Sequence, residues 1–501
     1  MNAGMEWDAA RCYKAFLSHD RRFDGRIFAG VVTTGVYCRP VCPVPPAKAQ
    51  NVRFFACAAA AEAAGFRPCR RCRPEAAPGT PAWAGTSAVA SRALRLIADG
   101  ALDEQGIEAL AARLGMGARQ LRRLFATHLG ASPVAIAQAR RVHFARRLLD
   151  ETDLPIAQVA FAAGFSSIRQ FNHAVRATFR ASPTELRRAR SPRSAGRAGQ
   201  GLLLRLAYRP PFDWQTTARF LAPRATPGVE VVTDDAYRRT IEINGVHGWI
   251  DIRPGTAAHL LLSLQLPGCD ALLQVVTRVR RMFDLDADPV QISDQLRRSA
   301  ALAALVAATP GVRVPGTWDG FELAVRAVLG QQVTVRGATT LAGRLVRAFG
   351  TALPEPVGDA GLTHLFPTAP ALATADVTTI GLPRARAQTI RALARGVCDG
   401  SLVLDAPAGL DDAVWRLCSI PGIGEWTAHY IAMRAFGEPD AFPATDLGLR
   451  QALGNGAGAL SAGAVTRLAE PWRPWRAYAA MHLWTNLHGN KTGVVPEKER
   501  S

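Results

Sequence analysis

In two stretches of the 501-residue chain the apolar residues follow no regular spacing, and these stretches constrain the fold more than any other feature. The first runs over residues 74–81 and the second over residues 190–200, and both combine Pro and Gly with small polar residues. Such segments cannot bury enough apolar surface to order themselves and are typical of linkers. A chain of this length also exceeds what one hydrophobic core can fill. The sequence therefore predicts three separately folded parts.

The charge of the chain favours phosphate-bearing partners. The formal net charge is +19, and the basic residues are almost all arginine, since Lys14, Lys48, Lys491 and Lys498 are the only lysines. A bias in the base composition of the gene would explain why arginine is used instead of lysine, but it does not explain why the net charge is positive. The sequence shows neither a signal peptide pattern nor an uninterrupted apolar span, so we expect a cytoplasmic, nucleoid-associated protein.

Four cysteines in the first part form two close pairs, Cys38-x₃-Cys42 and Cys69-x₂-Cys72. Two pairs of soft ligands separated by a longer segment are typical of a tetrahedral Cys₄ zinc site. We therefore expect one Zn²⁺ ion with these four ligands. In roughly four of five arbitrary Cys₄ sites the zinc only stabilises a small domain, and that alternative stays open here.

The residues around the pairs are Thr33-Thr-Gly-Val-Tyr-Cys38-Arg-Pro-Val-Cys42 and Gly65-Phe-Arg-Pro-Cys69-Arg-Arg-Cys72. Over about residues 8–75 this sequence resembles the zinc domain of the Ada adaptive-response proteins. The resemblance implies that Cys38 accepts a methyl group from a methylphosphotriester of the DNA backbone. Nearby arginines are candidate phosphate contacts, with solvated surface arginines as the equally weighted alternative. They are Arg39, Arg67, Arg70 and Arg71.

The second part contains a repeated pattern of helix, glycine-marked turn and helix. It occurs at Ile107–Phe125 and again at Pro155–Arg176, with arginines opposite the apolar face. Each unit predicts a helix-turn-helix. Side chains on the second helix of each unit suit base edges, although any of them could equally contact a phosphate or water. They are Arg119, Gln120, Arg123, Arg169, Gln170 and Asn172.

The tandem arrangement, closed by Phe179-Arg-Ala-Ser-Pro183, resembles the DNA-binding domain of the AraC family of transcription activators over about residues 88–188. The resemblance implies transcription activation on promoter DNA, with RNA polymerase as a candidate second partner.

The third part begins with strand-like runs, Leu202–Tyr208 and Arg239–Asn244, and the second run ends in the hairpin-type turn Asn244-Gly245. After about Leu285 the pattern changes to amphipathic helices. Leu417–Tyr430 reads as helix, Pro-Gly-x-Gly turn and helix, in which Gly422 and Gly424 let backbone N–H groups approach a phosphate. By itself this motif predicts sequence-independent DNA binding.

Asp446 follows this hairpin after about twenty residues, as in base-excision glycosylases of the helix-hairpin-helix superfamily. Together with Phe321–Val335 and Pro474–Trp484, the segment resembles the alkylbase glycosylase AlkA over about residues 202–487. The resemblance implies that Asp446 is the catalytic acid, and the alternative is a helix N-cap; both roles can hold at once. It also implies a base pocket formed by Trp426, Tyr430 and Trp484. The alternative, with a probability of roughly one third, is that these side chains only pack in the core.

Two positions refine the expectation. Bifunctional relatives carry a Schiff-base lysine two positions after the second hairpin glycine, where this chain has Trp426, so we expect a monofunctional DNA-3-methyladenine glycosylase of type II. Gln332 stands where the nearest relative inserts an apolar wedge into the DNA, which puts the efficiency of base flipping in doubt. No Pro-Cys-His-Arg string occurs, so reversal of O6-alkylguanine is not expected.

The expected architecture is multidomain and mainly α, with a small α/β zinc domain, a tandem helix-turn-helix, a mixed α/β lobe and an all-α helix-hairpin-helix body. The expected boundaries are 1–76, 88–188, 201–284 and 285–490, with linkers at 77–87 and 189–200. We expect a monomer that acts on double-stranded DNA as glycosylase and methyl-responsive activator. Two alternatives stay open: a transcription regulator whose glycosylase-like lobe only scans DNA, and a glycosylase with a purely structural zinc domain.

Overall fold

The computed structural model describes residues 9–77, 88–103, 105–189, 202–357, 361–404, 409–454 and 458–489. Within these ranges the protein is mainly helical, with one sheet in the first part and another at the start of the third. The expected fold class is confirmed. None of the helices in these ranges combines the length and apolarity that crossing a bilayer requires.

Residues 9–77 form a cysteine module around a four-stranded sheet of order β3-β1-β2-β4. In chain order its elements are α1 (Ala9–Leu17), β1 (Phe28–Val31), β2 (Val36–Cys38), β3 (Val52–Phe55), α2 (Ala58–Ala63) and β4 (Arg67–Pro68). The strands β2 and β4 run parallel and pair Tyr37 with Pro68. This pairing places the residues that follow the two strands side by side.

Residues 88–189 form the helix-turn-helix region. Its helices are α3 (Ala88–Ala98), α4 (Ile107–Arg113), α5 (Ala118–Leu129), α6 (Pro133–Glu151), α7 (Ile156–Ala162), α8 (Ile168–Phe179) and α9 (Pro183–Arg188). The left-handed glycines Gly115 and Gly164 end the first helix of each unit, as the repeated pattern predicts. The helix α6 packs against both α3 and α8 and so joins the two units.

Residues 202–284 form an α/β lobe with a five-stranded antiparallel sheet of order β5-β9-β8-β7-β6. Its elements are β5 (Leu202–Ala207), α10 (Trp214–Leu221), β6 (Glu230–Val232), β7 (Tyr237–Ile243), β8 (Val246–Pro254), β9 (His259–Gln265) and α11 (Leu272–Met282). Asn244 and Gly245 both have positive φ, 51° and 76°, in the turn between β7 and β8. The predicted strands and their hairpin turn are thereby confirmed.

Residues 285–489 form the helical body around one apolar core. Its elements are α12 (Pro289–Leu296), α13 (Ala300–Ala308), α14 (Gly320–Leu329), α15 (Val335–Phe349), β10 (Thr351–Val357), β11 (Leu362–Leu365), α16 (Ala369–Thr374), α17 (Arg384–Cys398), α18 (Leu410–Cys418), α19 (Glu425–Arg434), α20 (Leu447–Leu453), α21 (Ala462–Ala469) and α22 (Arg476–Gly489).

The expectation of an entirely helical body is wrong in one place, because β10 and β11 pair as an antiparallel hairpin. This hairpin contacts the sheet of the lobe: Leu362 forms a bridge with Gly228, and the Thr240 hydroxyl donates to the carbonyl of His364 at 2.7 Å. The contact with β7, which lies more than 100 residues away in sequence, favours an extended conformation of β11. The apolar periodicity of the segment itself could not indicate such a distant contact.

The parts pack against one another across the predicted linkers. One cluster of buried apolar side chains includes Phe144 and Phe171 of the helix-turn-helix region together with Leu204 and Leu273 of the lobe. A second cluster joins Phe55 and Ala60 of the cysteine module to Ala139 of α6. The second linker itself, residues 190–200, lies outside the described residues.

Polar contacts also join the helix-turn-helix region to the helical body. The guanidinium of Arg92 on α3 lies 3.2 Å from the carboxylate of Glu438, and both side chains are buried. Its neighbour Arg95 donates to the carbonyl of Gly437 at 2.7 Å. These contacts place α3 against the loop that leads from α19 towards Asp446.

Candidate functional site

The four paired cysteines come together as the spacing predicts. Cys38 ends β2 and Cys69 follows β4, so the parallel pairing of these strands brings the two residues together, and the Cys69 N–H donates to the carbonyl of Tyr37 at 3.0 Å. All four sulfur atoms lie within 4.8 Å of one another, and all four residues are buried. A tetrahedral Zn²⁺ site separates its sulfurs by about 3.8 Å, which this cluster fits.

The surroundings of the sulfurs call for a cation. Hydrogen bonding with Cys42, and then with Cys69 and Cys72, raises the pKa of the Cys38 thiol, so four thiolates cannot coexist there unaided. Soft thiolate donors select zinc among the common divalent ions. The N–H of Arg39 donates to the sulfur of Cys72 at 3.3 Å and orients it. Cys12 and Cys57 are also buried but lie outside the cluster.

The arginines proposed as phosphate contacts differ in their surroundings. Arg39 forms a salt bridge with the buried Asp24 and donates to the carbonyl of Cys72 at 3.2 Å, so its guanidinium is bound within the module. Arg67 is half-buried on β4, whereas Arg70 and Arg71 are exposed beside the cluster.

The predicted recognition helices are α5 and α8. Leu121 and Phe125 of α5 and Phe171 and Val175 of α8 are buried, which turns the opposite face of each helix to solvent. Five of the six candidate side chains are exposed and the last is half-buried; in order they are Arg119, Gln120, Arg123, Arg169, Gln170 and Asn172. The amide oxygen of Gln170 accepts from the Ser166 hydroxyl at 3.0 Å, which orients its amide.

Asp446 is the N-cap of α20, and its carboxylate is held by three N–H groups. The oxygen Oδ1 accepts from the Leu449 N–H and from Nε1 of Trp484, both at 2.9 Å. The oxygen Oδ2 accepts from Nε1 of Trp426, also at 2.9 Å. The helix N-cap alternative is therefore correct, and it leaves the carboxylate beside the indole rings of Trp426 and Trp484.

Asp446 lines a cavity of about 380 Å³ together with Trp426, Tyr430 and Trp484. The rings of Trp426 and Tyr430 stack with centroids 5.3 Å apart and planes inclined by 8°. They are neighbours because the two residues are four apart on α19 and so share one face. The cavity is large enough for a nucleobase, and aromatic faces and a carboxylate surround it.

Sequence reasoning missed three arginines in this cavity, Arg224, Arg326 and Arg434. Arg434 lies eight residues after Trp426 on the same face of α19, so helical spacing was a usable signal for it. Its guanidinium donates to the Tyr430 phenol oxygen at 2.9 Å. Burial alone would raise the pKa of Tyr430, but the charges of Arg434 and Arg224 outweigh burial and lower it.

The Pro-Gly-x-Gly hairpin is exposed beside the cavity. Gly422 has φ 88°, and a Cβ there would lie 2.1 Å from the Thr389 hydroxyl oxygen, so only glycine fits. Gly424 is the N-cap of α19 and provides no side-chain hydrogen bond to the first turn. The first N–H groups of α19 therefore point towards a place where an anion can bind.

Gln332 lies in the turn between α14 and α15. It is exposed and has φ 55°, a left-handed conformation that is uncommon for glutamine. Two apolar side chains beside it, Val333 and Val335, are 38% and 37% exposed and line the mouth of the cavity. The strained backbone turns Gln332 outward from the body.

Three families match parts of the chain. The metal binding domain of Ada matches residues 11–75, a helix-turn-helix domain matches residues 110–189, and the AlkA N-terminal domain matches residues 203–319. These matches and the fold define the class of protein: an Ada-type metal-binding domain and a helix-turn-helix domain joined to an AlkA-type helix-hairpin-helix domain. With the four buried sulfurs, the first match identifies one Zn²⁺ site.

The chain is 48% identical over 485 residues to a Mycobacterium tuberculosis protein named probable bifunctional transcriptional activator/DNA repair enzyme AlkA. The alignment covers 96% of this chain and 97% of that protein. It is 34% identical over 283 residues to DNA-3-methyladenine glycosylase 2 of Escherichia coli, covering 56% of this chain and 95% of that one. The chain belongs to the family of bifunctional transcriptional activator/DNA repair enzymes AlkA.

A solved 3-methyladenine DNA-glycosylase from Archaeoglobus fulgidus shares the fold of the third part. The TM-score is 0.50 at 23% identity, and the match covers 58% of this chain and 100% of the other.

Proposed function

We propose that this protein excises alkylated bases of the 3-methyladenine class from duplex DNA by hydrolysis, and that it reports DNA methylation to transcription through its zinc and helix-turn-helix regions. The observation that carries the excision half is the position of Asp446: its carboxylate is fixed by three N–H groups at the wall of an aromatic cavity that can hold a nucleobase.

The carboxylate supplies the electrostatics of bond cleavage. Breaking an N-glycosidic bond builds positive charge on the deoxyribose, and a negative group held beside the sugar stabilises that transition state and can activate the attacking water. A 3-methylated adenine is already cationic and leaves readily, so little acid catalysis is needed. The stacked rings of Trp426 and Tyr430 give the flipped base an electron-rich surface.

The cavity residues also support hydrolysis without a lyase step. A lyase needs an amine nucleophile, and the chain has four lysines, of which the two in the described ranges, Lys14 and Lys48, lie in the cysteine module. Trp426 occupies the position of the lyase lysine. Excision should therefore leave an intact abasic site.

The hairpin binds DNA without regard to its base sequence. The exposed Gly422 and Gly424 allow close approach of a backbone phosphate, and the uncapped N-terminus of α19 favours its negative charge. We further propose that Gln332 and its partly exposed neighbours Val333 and Val335 fill the gap that the displaced base would leave in the duplex.

For the second half we propose Cys38 as the methyl acceptor. The match of this segment to the metal binding domain of Ada supports Cys38 among the four ligands. The sulfur of Cys72 already accepts the Arg39 N–H at 3.3 Å, and such a bond reduces the nucleophilicity of that sulfur. Bound zinc keeps the sulfur of Cys38 as a thiolate at neutral pH. The Cys38 sulfur forms a bond to the methyl carbon, the carbon–oxygen bond of the phosphotriester breaks, and the phosphate leaves as an anionic diester.

The transfer changes the charge of the module. Four thiolates and Zn²⁺ carry two surplus negative charges, and a thioether in place of one thiolate removes one of them. Repulsion between the module and the DNA backbone then falls, so the methylated protein binds DNA more tightly. Bound through α5 and α8 at a promoter, it would activate transcription by contact with RNA polymerase.

The excision half is tested by incubating the full-length protein with dimethyl sulfate-treated duplex DNA. Free 3-methyladenine should appear in the supernatant, and strands should break only after a later alkali treatment. Absence of free base at an excess of protein would favour a regulator whose third part only scans DNA.

The methyl-acceptor half is tested by mass spectrometry after exposure to DNA that carries methylphosphotriesters. Fragmentation of the cysteine peptides should place one added methyl group on Cys38 and none on Cys42, Cys69 or Cys72. An unmodified Cys38 peptide would leave the zinc with a purely structural role.

A further inference from the structure

The turn between α14 and α15 carries Gln332, which was proposed above to fill the gap in the DNA, and one residue of this turn points inward. Gln331 precedes the strained Gln332 and is half-buried. Its backbone N–H donates to the carbonyl of Val328 at 3.2 Å, so its main chain continues from the end of α14. Its side chain leaves the turn and reaches the hairpin.

The amide of Gln331 joins three elements. Its Nε2 lies 2.9 Å from the carbonyl oxygen of Gly422 in the hairpin and 3.1 Å from the hydroxyl oxygen of Thr427 in the first turn of α19. A carbonyl oxygen can only accept, so the amide must present its N–H₂ group on this side. One side chain thus connects the turn with the proposed phosphate-binding hairpin and with the helix that carries Trp426 and Tyr430.

The hairpin is itself held from within. The hydroxyl of Thr389 donates to the carbonyl of Pro421 at 2.9 Å, and Gln331 binds the next carbonyl, that of Gly422. Two consecutive carbonyl groups therefore face the body of the protein. The hairpin glycines remain exposed on the other side.

Thr334 also holds the turn, because its hydroxyl caps α15 by accepting from the Gly337 N–H at 3.1 Å. Gln332 is exposed, and the side chains of Val333 and Val335 are more than a third exposed at 38% and 37%. A left-handed glutamine persists only where its surroundings determine it. The side chain of Gln331 connects the turn to the hairpin through the carbonyl of Gly422 and to α19 through the hydroxyl of Thr427.

We propose that Gln331 is a positioning residue that fixes the turn relative to the hairpin. When the hairpin binds a phosphate, the position of that phosphate then determines where Gln332 and Val333 enter the base stack. This inference rests on base excision as the proposed function. It assigns Gln331 no contact with the reacting atoms: it acts by holding the neighbouring residues in register with the DNA.

The test uses the full-length zinc-loaded protein and the Gln331→Leu variant, which keeps much of the volume and loses the amide. At excess protein, release of 3-methyladenine from methylated duplex should slow by up to about a hundredfold, as a displacement of about 1 Å at a reacting centre can cause. The Kd for a duplex with a tetrahydrofuran abasic analogue should change less than about threefold, because that complex requires no base to be displaced.

A fluorescence readout follows insertion into the duplex separately from chemistry. A 2-aminopurine opposite the tetrahydrofuran site should change its emission when wild type binds, and Gln331→Leu should lose that change. Gln331→Glu, which sets a carboxylate oxygen against two other oxygens, should behave like Gln331→Leu. The matched control is Gln295→Leu, because Gln295 also donates an amide N–H to a distant carbonyl, that of Pro471 at 3.0 Å, far from the cavity.

Unchanged release by Gln331→Leu would overturn the proposal. A loss of abasic-site affinity in proportion to the loss of release would also overturn it, since Gln331 would then only maintain the hairpin. If wild type released no base but its fluorescence change still depended on Gln331, the positioning role would stand and base excision would fail.

Discussion

Asp446 has two roles that substitution can separate. As the N-cap of α20 it accepts the Leu449 N–H, and as a carboxylate it carries the charge that excision requires. Asn is as good an N-cap as Asp but has no charge, whereas Ala lacks both functions. We therefore predict that Asp446→Asn and Asp446→Ala lose activity alike, and that Asp446→Ala is the less stable of the two because it leaves all three N–H groups without their acceptor.

The magnitudes follow from the three N–H groups that hold the carboxylate. In Asp446→Asn the amide oxygen can keep the bonds from Leu449 and Trp484, but the N–H₂ group then faces Nε1 of Trp426, which lies 2.9 Å away in the wild type. Leaving one donor unsatisfied costs about 1–3 kcal/mol. Loss of the charge opposite the developing sugar cation should lower the excision rate by about 10²–10³-fold.

The assay is single-turnover release of 3-methyladenine from methylated duplex, paired with thermal unfolding. A matched control is Ser461→Ala, which removes the N-cap of α21, where the Ser461 hydroxyl oxygen accepts from the Ala464 N–H at 3.3 Å. It should lower Tm by about 2–4 °C, the effect of about 1 kcal/mol in a domain of this size, with no change in rate. A rate for Asp446→Asn within threefold of wild type would refute the electrostatic role.

Three further outcomes are expected. Cys42→Ser should lose most of the bound zinc, measured by atomic absorption on the purified protein, whereas Cys57→Ala, at a buried cysteine outside the cluster, should keep it. Burial raises the pKa of Asp284 to about 6, because the folded protein favours the neutral carboxyl group. The stability that this neutral group contributes is fully present below about pH 4 and is lost as the pH rises through about 6. Asp284→Asn should therefore raise Tm at neutral pH and flatten the Tm profile between about pH 4 and pH 6; an unchanged profile contradicts the shift. At the contact between the helix-turn-helix region and the helical body, Arg92→Met and Glu438→Leu should each destabilise by about 3–5 kcal/mol because each removes one partner of a buried ion pair. The double variant should recover part of the loss in thermal unfolding, whereas additive losses would argue against a coupling between the two side chains.

Several features of the site follow from short spacings along the chain, and such spacings can be read from a sequence. The interval between Cys38 and Cys42 predicted neighbouring sulfurs, and the structure has them within 4.8 Å. Trp426 and Tyr430 are one helical turn apart on α19, and their rings stack. The turn glycines of both helix-turn-helix units and the hairpin turn Asn244-Gly245 also follow from local conformational preference, because few other residues adopt a positive φ.

Contacts between distant segments were beyond sequence reasoning. Arg224 reaches the cavity from the 3-10 turn that follows α10, and Arg326 reaches it from α14; no periodicity connects either one with Trp426. The salt bridge of Arg39 with Asp24 needed the fold of the module, so the sequence alone left Arg39 as a candidate phosphate contact. The β10–β11 hairpin formed where helices were expected, because the sheet of the lobe lies beside it.

The amino-acid sequence by itself determined the modular order, the two cysteine pairs and the hairpin glycines, because each shows as a pattern of residues that are close together in the chain. It also singled out Asp446, through the resemblance to a known family. The tertiary structure decided that Asp446 accepts two indole N–H groups, that Gln331 connects the turn to the hairpin, and that the linked parts share buried surfaces. Those features arise where chain segments separated by about 20 to several hundred residues meet, and burial and hydrogen bonding across such distances have no local pattern to reveal them.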